Sequence, residues 1–114
     1  MAALHWLVVE ADLDPGRGSE QGGSRPVLVV SNDDFNDAIP NVTVLPLTST
    51  QRRLYPSEVW LPRGGAGQPL DSIIMAHQIR TISQRRLGRT YGFVEDDGLK
   101  QAVQQALKEH LDLP

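Results

Sequence analysis

Two side chains that can bind a phosphate lie at neighbouring ends of predicted strands. Arg25 comes just before the apolar run PVLVVSN (residues 26–32), and Thr48 ends the run VTVLPLT (residues 42–48). Only nine residues, 33–41, join the two runs, which is short enough for adjacent antiparallel strands. The outer ends of such strands meet, so we predict that Arg25 and Thr48 lie together at one sheet edge. A guanidinium and a hydroxyl at that edge can donate hydrogen bonds to phosphate oxygens.

A glycine-rich segment, DPGRGSEQGGS (residues 14–24), leads into the first of these strands and reaches the same edge. Its glycines permit positive φ angles and a close approach of the backbone to a ligand. The segment brings four polar side chains to the predicted site: Arg17, Ser19, Glu20 and Gln21. Such a set of side chains could act on a phosphodiester. If the phosphodiester is RNA and no metal takes part, cleavage needs a base for the 2′-hydroxyl, an acid for the departing 5′-oxygen and donors for the charged oxygens. Residue types for these tasks are present at the predicted edge.

Two side chains are candidates for proton transfer. Glu20 is a candidate base, and His77 is the only other mid-chain residue of a type that titrates near neutral pH. Arg25 and Thr48 are assigned to hold the phosphate, because an arginine keeps its proton throughout the physiological range. Simpler interpretations remain open. Arg25 can form an ion pair with Glu20. Thr48 can be an ordinary strand residue, and His77 can be a partly buried histidine on one face of a strand.

The charges are distributed unevenly along the chain, whose net charge is −3. Residues 38–93 contain seven arginines and two acidic residues, whereas residues 1–37 contain seven acidic residues and two arginines. Residues 94–114 contain five acidic residues and two lysines. A negative net charge counts against nucleic-acid binding, but the arginines of the middle segment can bind phosphate bidentately. The charge pattern alone fits a phosphate-binding surface and a solvated polar face equally well.

Length and composition restrict the class of protein. The chain fits a single domain, residues 1–114, with one hydrophobic core. It has no cysteine, which excludes disulfides and thiolate zinc sites, and no residue spacing typical of a metal site. We therefore expect chemistry without a metal or cofactor. The N-terminal sequence resembles neither a signal peptide nor a membrane span, so we expect a cytoplasmic protein without membrane contact.

Short strands are predicted to position these residues. Alternating apolar residues predict a half-buried strand over residues 7–13, with Val8 on its polar face. Two further strands are predicted in SEVWLP (residues 57–62) and SIIMAHQIRTI (residues 72–82). Pro46 indicates a sheet edge or a bulge, because proline cannot donate a hydrogen bond to a neighbouring strand.

The last part of the chain follows a helical period instead. Apolar residues from Leu99 to Leu111 recur at helical spacing, and Asp96 or Asp97 is placed to cap the first turn. Short strands followed by one helix predict a mainly β fold. We expect a small, strongly bent antiparallel barrel with a C-terminal amphipathic helix packed on it.

Four blocks of the sequence resemble the MazF/PemK family of toxin ribonucleases. They are DLDPGRGSEQGGSRPVLVVSND, TVLPLTS, YPSEVWLP and DSIIMAHQIRTISQRRLG, and they cover nearly the whole chain. The first block is the most specific, because Asp-Pro, Gly-Ser-Glu-Gln and Arg-Pro stand at fixed spacing before an apolar strand. The resemblance implies an SH3-like β-barrel that forms a homodimer and cleaves single-stranded RNA sequence-selectively to a 2′,3′-cyclic phosphate and a 5′-hydroxyl. It also implies a MazE-like antitoxin whose flexible, partly acidic tail covers the RNA groove.

The resemblance also assigns residues to the site. Arg25 and Thr48 match the pair usually given catalytic roles, and Glu20 matches the glutamate of the loop. His77 stands where PemK-like relatives have an aspartate that takes part in acid/base work, and a histidine can do similar chemistry near neutral pH. We therefore expect these four residues to be catalytic. The residues expected to contact RNA are Arg17, Ser19, Gln21, Ser49, Arg53, Gln78 and Arg80.

Two other functions remain open. A CcdB-like toxin shares the barrel but traps DNA gyrase through its C-terminal residues, and the tail KEHLDLP offers nothing to support such docking. A degenerate family member that binds RNA without cutting it is the other possibility.

Overall fold

Seven strands form one antiparallel sheet in the computed structural model, which describes residues 3–114. The strands are β1 (Leu7–Asp12), β2 (Ser24–Val29), β3 (Asn41–Thr48), β4 (Glu58–Leu61), β5 (Ser72–Met75), β6 (Arg80–Ser83) and β7 (Leu87–Phe93). Neighbouring strands follow the order β4-β5-β3-β2-β1-β7, and β6 also pairs with β3. The mainly β, barrel-like fold agrees with the prediction. The sheet stays open rather than closing, with β4 and β7 at the ends of this order.

The eight-residue strand β3 pairs with three other strands. One of its sides pairs with β2. On the other side, Val44 is opposite Arg80 of β6, whereas Leu47 is opposite Ile74 of β5. Pro46, which has no N–H, lies where the partner changes from β6 to β5. Of the two possibilities predicted at Pro46, a sheet edge or a bulge, the edge is wrong, because β3 is central. The irregularity lies on one side of β3, where a gap separates its two partner strands.

The same gap divides the single strand predicted over residues 72–82. A 3-10 turn over Ala76–Gln78 separates β5 from β6. The segment between β5 and β6 does not pair with β3 near Pro46, because proline has no N–H to donate to a continuous partner strand. His77 consequently lies on this turn, and its predicted place on a strand face is wrong.

Strand β1 is buried along one face, as predicted, and the other face is buried at Val8, half-buried at Glu10 and exposed at Asp12. Leu7 and Val9 belong to an apolar cluster with residues of β2 and β3. Val8 belongs to a second cluster, which includes Val103 of the C-terminal helix α2 (Asp97–Leu111). Val8 is completely buried, so its predicted position on a polar face is wrong. The helix supplies apolar cover on that side of the sheet.

Two helices complete the fold. A short helix, α1 (Asp33–Ala38), occupies most of the connection between β2 and β3. The C-terminal helix α2 confirms the prediction, and its cap is Asp96, whose Oδ2 accepts a hydrogen bond from the backbone N–H of Leu99 at 2.8 Å. The buried residues of α2 are Val103 and Ala106. Across residues 3–114, neither helix is long and apolar enough to cross a membrane.

Candidate active site

The antiparallel register brings Arg25 and Thr48 to the same end of their strands. Val27 pairs with Pro46, and Arg25 and Thr48 each lie two residues beyond this last pair, in the same direction. Arg25 Nη1 donates a hydrogen bond to the carbonyl oxygen of Leu47 at 3.3 Å. The two side chains therefore lie together at one end of these neighbouring strands, as the strand pattern predicts.

Backbone carbonyls hold the Arg25 guanidinium. Its Nε donates to the carbonyl oxygen of Gly22 at 3.2 Å, in addition to the bond from Nη1 to Leu47. The ion pairs found among residues 3–114 both use Glu58 as the acid, so Arg25 does not form the pair with Glu20 that its spacing allowed. An arginine has five N–H donors. Most of the Arg25 donors, and its charge, are left for a ligand.

Thr48 lines the same cavity as this guanidinium, and its hydroxyl hydrogen is donated to no partner among residues 3–114. Its Oγ1 accepts a hydrogen bond from the backbone N–H of Thr50 at 3.2 Å. That bond uses a lone pair, so the hydroxyl hydrogen can still be donated to a ligand. Arg25, Thr48 and Ser49 line a cavity of about 260 Å³, together with apolar residues that include Leu70. The arrangement suits a phosphate bound next to a flat apolar group such as a nucleobase.

Two residues predicted to contact RNA hold the glycine-rich loop in place. Arg80 Nη1 donates to the carbonyl oxygens of Leu13 and Gln21, at 3.2 and 3.5 Å. The Gln78 side chain donates to the carbonyl oxygen of Ser19 and accepts from the backbone N–H of Gln21, both at 3.4 Å. These bonds fix the path of the loop, so Arg80 and Gln78 have a structural role here.

A second cavity, of about 300 Å³, contains both candidates for proton transfer. It is lined by Glu20, His77, Gln78, Ile79 and Arg80. The predicted site is therefore distributed over two cavities rather than gathered at one. The loop backbone links them, because Arg80 binds the carbonyl of Gln21 and Arg25 binds the carbonyl of the next residue, Gly22.

The other predicted RNA contacts lie outside these cavities, apart from Ser49. Arg17 and Ser19 are exposed on the glycine-rich loop, and Gln21 is half-buried there. Arg53 is exposed on the connection between β3 and β4. All four lie on loops and line neither cavity.

Glu58 is a candidate that the sequence analysis missed. Its side chain is completely buried, and Arg52 donates to both carboxylate oxygens, at 2.7 and 2.9 Å. The backbone N–H of Tyr55 and Nε2 of His77 each lie 2.7 Å from a carboxylate oxygen. Burial alone raises the pKa of the Glu58 carboxyl, but these hydrogen bonds and the charge of Arg52 lower the pKa to about 2. The sequence feature that could have identified Glu58 is its place as an acidic residue at the start of the apolar strand EVWL, shortly after two arginines.

His77 is oriented by this carboxylate and by the C-terminal helix. Its side chain is 28% exposed, and its ring lies edge-on to the ring of His110 with centroids 6.5 Å apart. Because Nε2 contacts Glu58, the other ring nitrogen, Nδ1, is the one left for a ligand. The histidine is thus partly buried, and its Nδ1 remains as the nitrogen that can take part in proton transfer.

Known proteins resemble this chain over nearly its whole length. The family model described as PemK-like, MazF-like toxin of type II toxin-antitoxin system matches residues 5–111. Endoribonuclease MazF9 of Mycobacterium tuberculosis is 42% identical in an alignment of 109 residues that covers 91% of this chain and 92% of the relative. A mycobacterial endoribonuclease solved in complex with its cognate antitoxin has a TM-score of 0.76 and 30% identity, covering 99% of this chain and 98% of that one. MazF of Deinococcus radiodurans has a TM-score of 0.80 and 27% identity, covering 96% of each chain.

Proposed function

This chain belongs to the PemK-like, MazF-like family of toxins of type II toxin–antitoxin systems, and on that premise we propose that it is an endoribonuclease acting on single-stranded RNA. Cleavage is sequence-specific, needs no metal, and leaves a 2′,3′-cyclic phosphate and a 5′-hydroxyl. The main supporting observation is Arg25, which has no carboxylate partner among residues 3–114 and lines one cavity together with Thr48. Relatives named as endoribonucleases support the same activity.

The site residues divide the reaction between charge stabilisation and proton transfer. Arg25 and Thr48 donate hydrogen bonds to the non-bridging oxygens of the scissile phosphate, whose charge grows as the 2′-oxygen attacks. Proton transfer falls to Glu20 and His77, because an arginine does not release its proton in this pH range. The 2′-oxygen bonds to phosphorus and the bond from phosphorus to the 5′-oxygen breaks. The proton lost from the 2′-hydroxyl is balanced by one gained at the 5′-oxygen.

The RNA strand crosses the glycine-rich loop between the two cavities. This path brings the phosphate to Arg25 and keeps the loop side chains next to unstacked bases, which is how proteins read single-stranded RNA. The loop is exposed over residues 14–20, so it is accessible to the strand. The contacts in this proposal are Arg17, Ser19, Gln21, Ser49, Arg53, Gln78 and Arg80.

A MazE-like antitoxin is the proposed protein partner. The similar mycobacterial endoribonuclease was solved with its cognate antitoxin, which supports this assignment. The exposed Arg17 and Arg53 favour a partly acidic antitoxin segment that competes with RNA for the site. The chain acts as a homodimer in the cytoplasm, where RNA and antitoxin are both present, and has no membrane contact in this proposal.

A CcdB-like gyrase poison has less support. The relatives described above are endoribonucleases or MazF toxins. Gyrase trapping also gives no role to an arginine and a threonine placed at a cavity. Both observations favour the endoribonuclease.

Incubation of the purified protein with a long single-stranded RNA and excess EDTA tests the proposal. We expect cleavage to proceed in the chelator, because the proposed reaction uses side chains and water and needs no metal. Intact RNA, or cleavage that the chelator abolishes, contradicts the proposal. RNA that is bound but not cut indicates the degenerate RNA-binding alternative, and stalled gyrase–DNA complexes indicate the CcdB-like one.

A further inference from the structure

The Glu58 carboxylate has all of its acceptor positions occupied. It receives two hydrogen bonds from Arg52, one from the backbone N–H of Tyr55 and one from His77. A carboxylate offers about four lone-pair positions. The group therefore cannot rotate without breaking at least one of these hydrogen bonds. Its orientation is fixed, yet the reaction described above gives it no role.

This fixed carboxylate determines which nitrogen of His77 carries a hydrogen. With a pKa of about 2, Glu58 has no proton near neutral pH and can only accept hydrogen bonds. The 2.7 Å contact therefore requires a hydrogen on Nε2 of His77. In the neutral ring, the hydrogen sits on one nitrogen only, so Nδ1 bears the lone pair.

We propose that Glu58 is a positioning residue that holds His77 in the Nε2–H tautomer and so makes Nδ1 the base for the 2′-hydroxyl. This inference rests on the proposed function. Nδ1 takes the 2′-hydroxyl proton, the 2′-oxygen bonds to phosphorus, and the bond to the 5′-oxygen breaks. A water molecule held by Glu20 in the cavity that it shares with His77 gives a proton to the 5′-oxygen, and the hydroxide that remains removes the proton from Nδ1.

The surroundings of His77 suit this role. Glu58 of β4 stabilises the imidazolium that forms when Nδ1 takes up the proton, because the carboxylate contacts the ring directly. Arg52 keeps Glu58 ionised through a bidentate pair, and its guanidinium lies 4.3 Å from the centre of the Tyr55 ring, which restrains it further. The remaining titratable and charged groups near His77 are His110 of α2, and Glu20 and Arg80 in the shared cavity.

A purely structural role for Glu58 makes different predictions. A carboxylate that only ties β4 to the turn over Ala76–Gln78 affects stability but does not act on RNA cleavage through His77. The test therefore needs measurements that stability alone does not change. The tautomer of His77 and the pH dependence of cleavage are two such measurements.

The direct measurement is the ¹⁵N spectrum of the histidine rings in the wild-type protein. His77→Gln assigns the His77 signals by their loss, with His5 and His110 as internal references. In the neutral ring we expect a protonated Nε2 and an unprotonated Nδ1. A neutral ring protonated on Nδ1 overturns the inference, and this result needs no variant of Glu58 to fold.

The kinetic measurement is single-turnover cleavage of one RNA by Glu58→Gln, His77→Gln and the double variant. An amide can present an N–H to the ring and favour the wrong tautomer. We expect Glu58→Gln to slow cleavage by roughly 10²- to 10⁴-fold and to alter the pH–rate profile. Because Glu58 acts through His77, the double variant should be no slower than His77→Gln. Asp33→Asn is the matched control, since Asp33 also accepts several hydrogen bonds but none from His77.

The outcomes separate this inference from the proposed function. A wild-type protein that fails to cut RNA contradicts the proposed function and with it the assignment of Nδ1 as base, whereas the ¹⁵N spectrum still tests the tautomer. If the wild type cuts RNA and Glu58→Gln matches its rate and pH profile, the inference is overturned. Losses that simply multiply in the double variant overturn it as well, because they show that Glu58 acts independently of His77.

Discussion

Glu58 keeps its charge although its side chain is completely buried. Burial raises the pKa of the carboxyl, and the hydrogen bonds from Arg52, His77 and the backbone of Tyr55 reverse that shift, so the pKa is about 2. Unfolding removes these donors and returns the pKa towards its ordinary value of 4.5. The unfolded chain therefore binds a proton more readily than the folded one, and the ionised carboxylate stabilises the fold.

Acidification should consequently weaken the fold through Glu58. Its contribution is fully present above pH 4.5, where both states are ionised, and is lost as the pH falls towards about 2, because the unfolded state is protonated first. Glu58→Gln lacks this carboxyl, so the difference in unfolding free energy between wild type and variant should become smaller as the pH falls through the window from 4.5 to about 2. Urea unfolding at neutral pH and through the window measures the difference, with the exposed Glu95→Gln as control. A constant difference contradicts the account.

At the residue scale, the sequence predicted Arg25 and Thr48 but not Glu58. Arg25 and Thr48 are positioned by strand register, which follows from apolar runs and a short connection that can be seen in the sequence. The partners of Glu58 come from the connection after β3 and from the turn that carries His77. The paths of those segments depend on tertiary packing, so no local pattern showed that the three side chains meet.

At the scale of elements, the glycine-rich loop needs one left-handed residue where it enters β2. Gly23 has a φ of 71°, its N–H binds Asp14 Oδ1 at 2.6 Å, and its carbonyl accepts from the N–H of Leu13 at 2.9 Å. A Cβ at this position meets no atom within 4 Å, so the obstacle to a side chain is backbone strain alone. The turn sets the direction in which the loop approaches Arg25.

We expect Gly23→Ala to lower the free energy of unfolding by about 1–2 kcal/mol, the energy of a left-handed conformation in a residue with a Cβ. Gly88→Ala is the matched control, because a Cβ there makes only an ordinary contact with the carbonyl of Glu10 and φ is not positive. The control should change stability by less than about 0.5 kcal/mol. Chemical denaturation of both variants measures this, and equal effects argue against strain at Gly23.

The strands of the second half were harder to predict than those of the first. β7 has no alternation of buried and exposed residues, and its pairing with β1 contains register shifts. It is an edge strand, so little of its burial pattern is imposed by neighbours. The break between β5 and β6 arises opposite Pro46, more than twenty positions earlier in the chain, which a reading of residues 72–82 alone does not reveal.

At the scale of the whole molecule, the arginine-rich middle segment does not form a single phosphate surface. Arg52 is bound to Glu58, and Arg80 binds backbone carbonyls of the glycine-rich loop. Arg86 similarly binds the carbonyls of Asp12 and Asp14. The exposed arginines of this middle segment are Arg53, Arg63, Arg85 and Arg89. The composition identified the right kind of residue but overestimated how many guanidiniums have all of their donors available for RNA.

The family, the mainly β fold with its C-terminal helix and the endoribonuclease class were predicted from the sequence and are confirmed by the comparisons. The roles of Arg25, Thr48, Glu20 and His77 stay predictions. They depend on where the RNA strand lies relative to two cavities, which neither the register nor the family match determines.

The most direct test of the central claim is to map the ends of fragments that the wild type and Arg25→Ala produce from one long RNA in EDTA. We predict wild-type fragments that begin with a 5′-hydroxyl at a recurring short sequence, and cleavage at least about a hundredfold slower in the variant, as expected for loss of a donor to a developing charge. Arg63→Ala, an exposed arginine outside both cavities, should retain the wild-type rate. Fragments with 5′-phosphates, or an Arg25→Ala variant that cuts at the wild-type rate, would contradict the account.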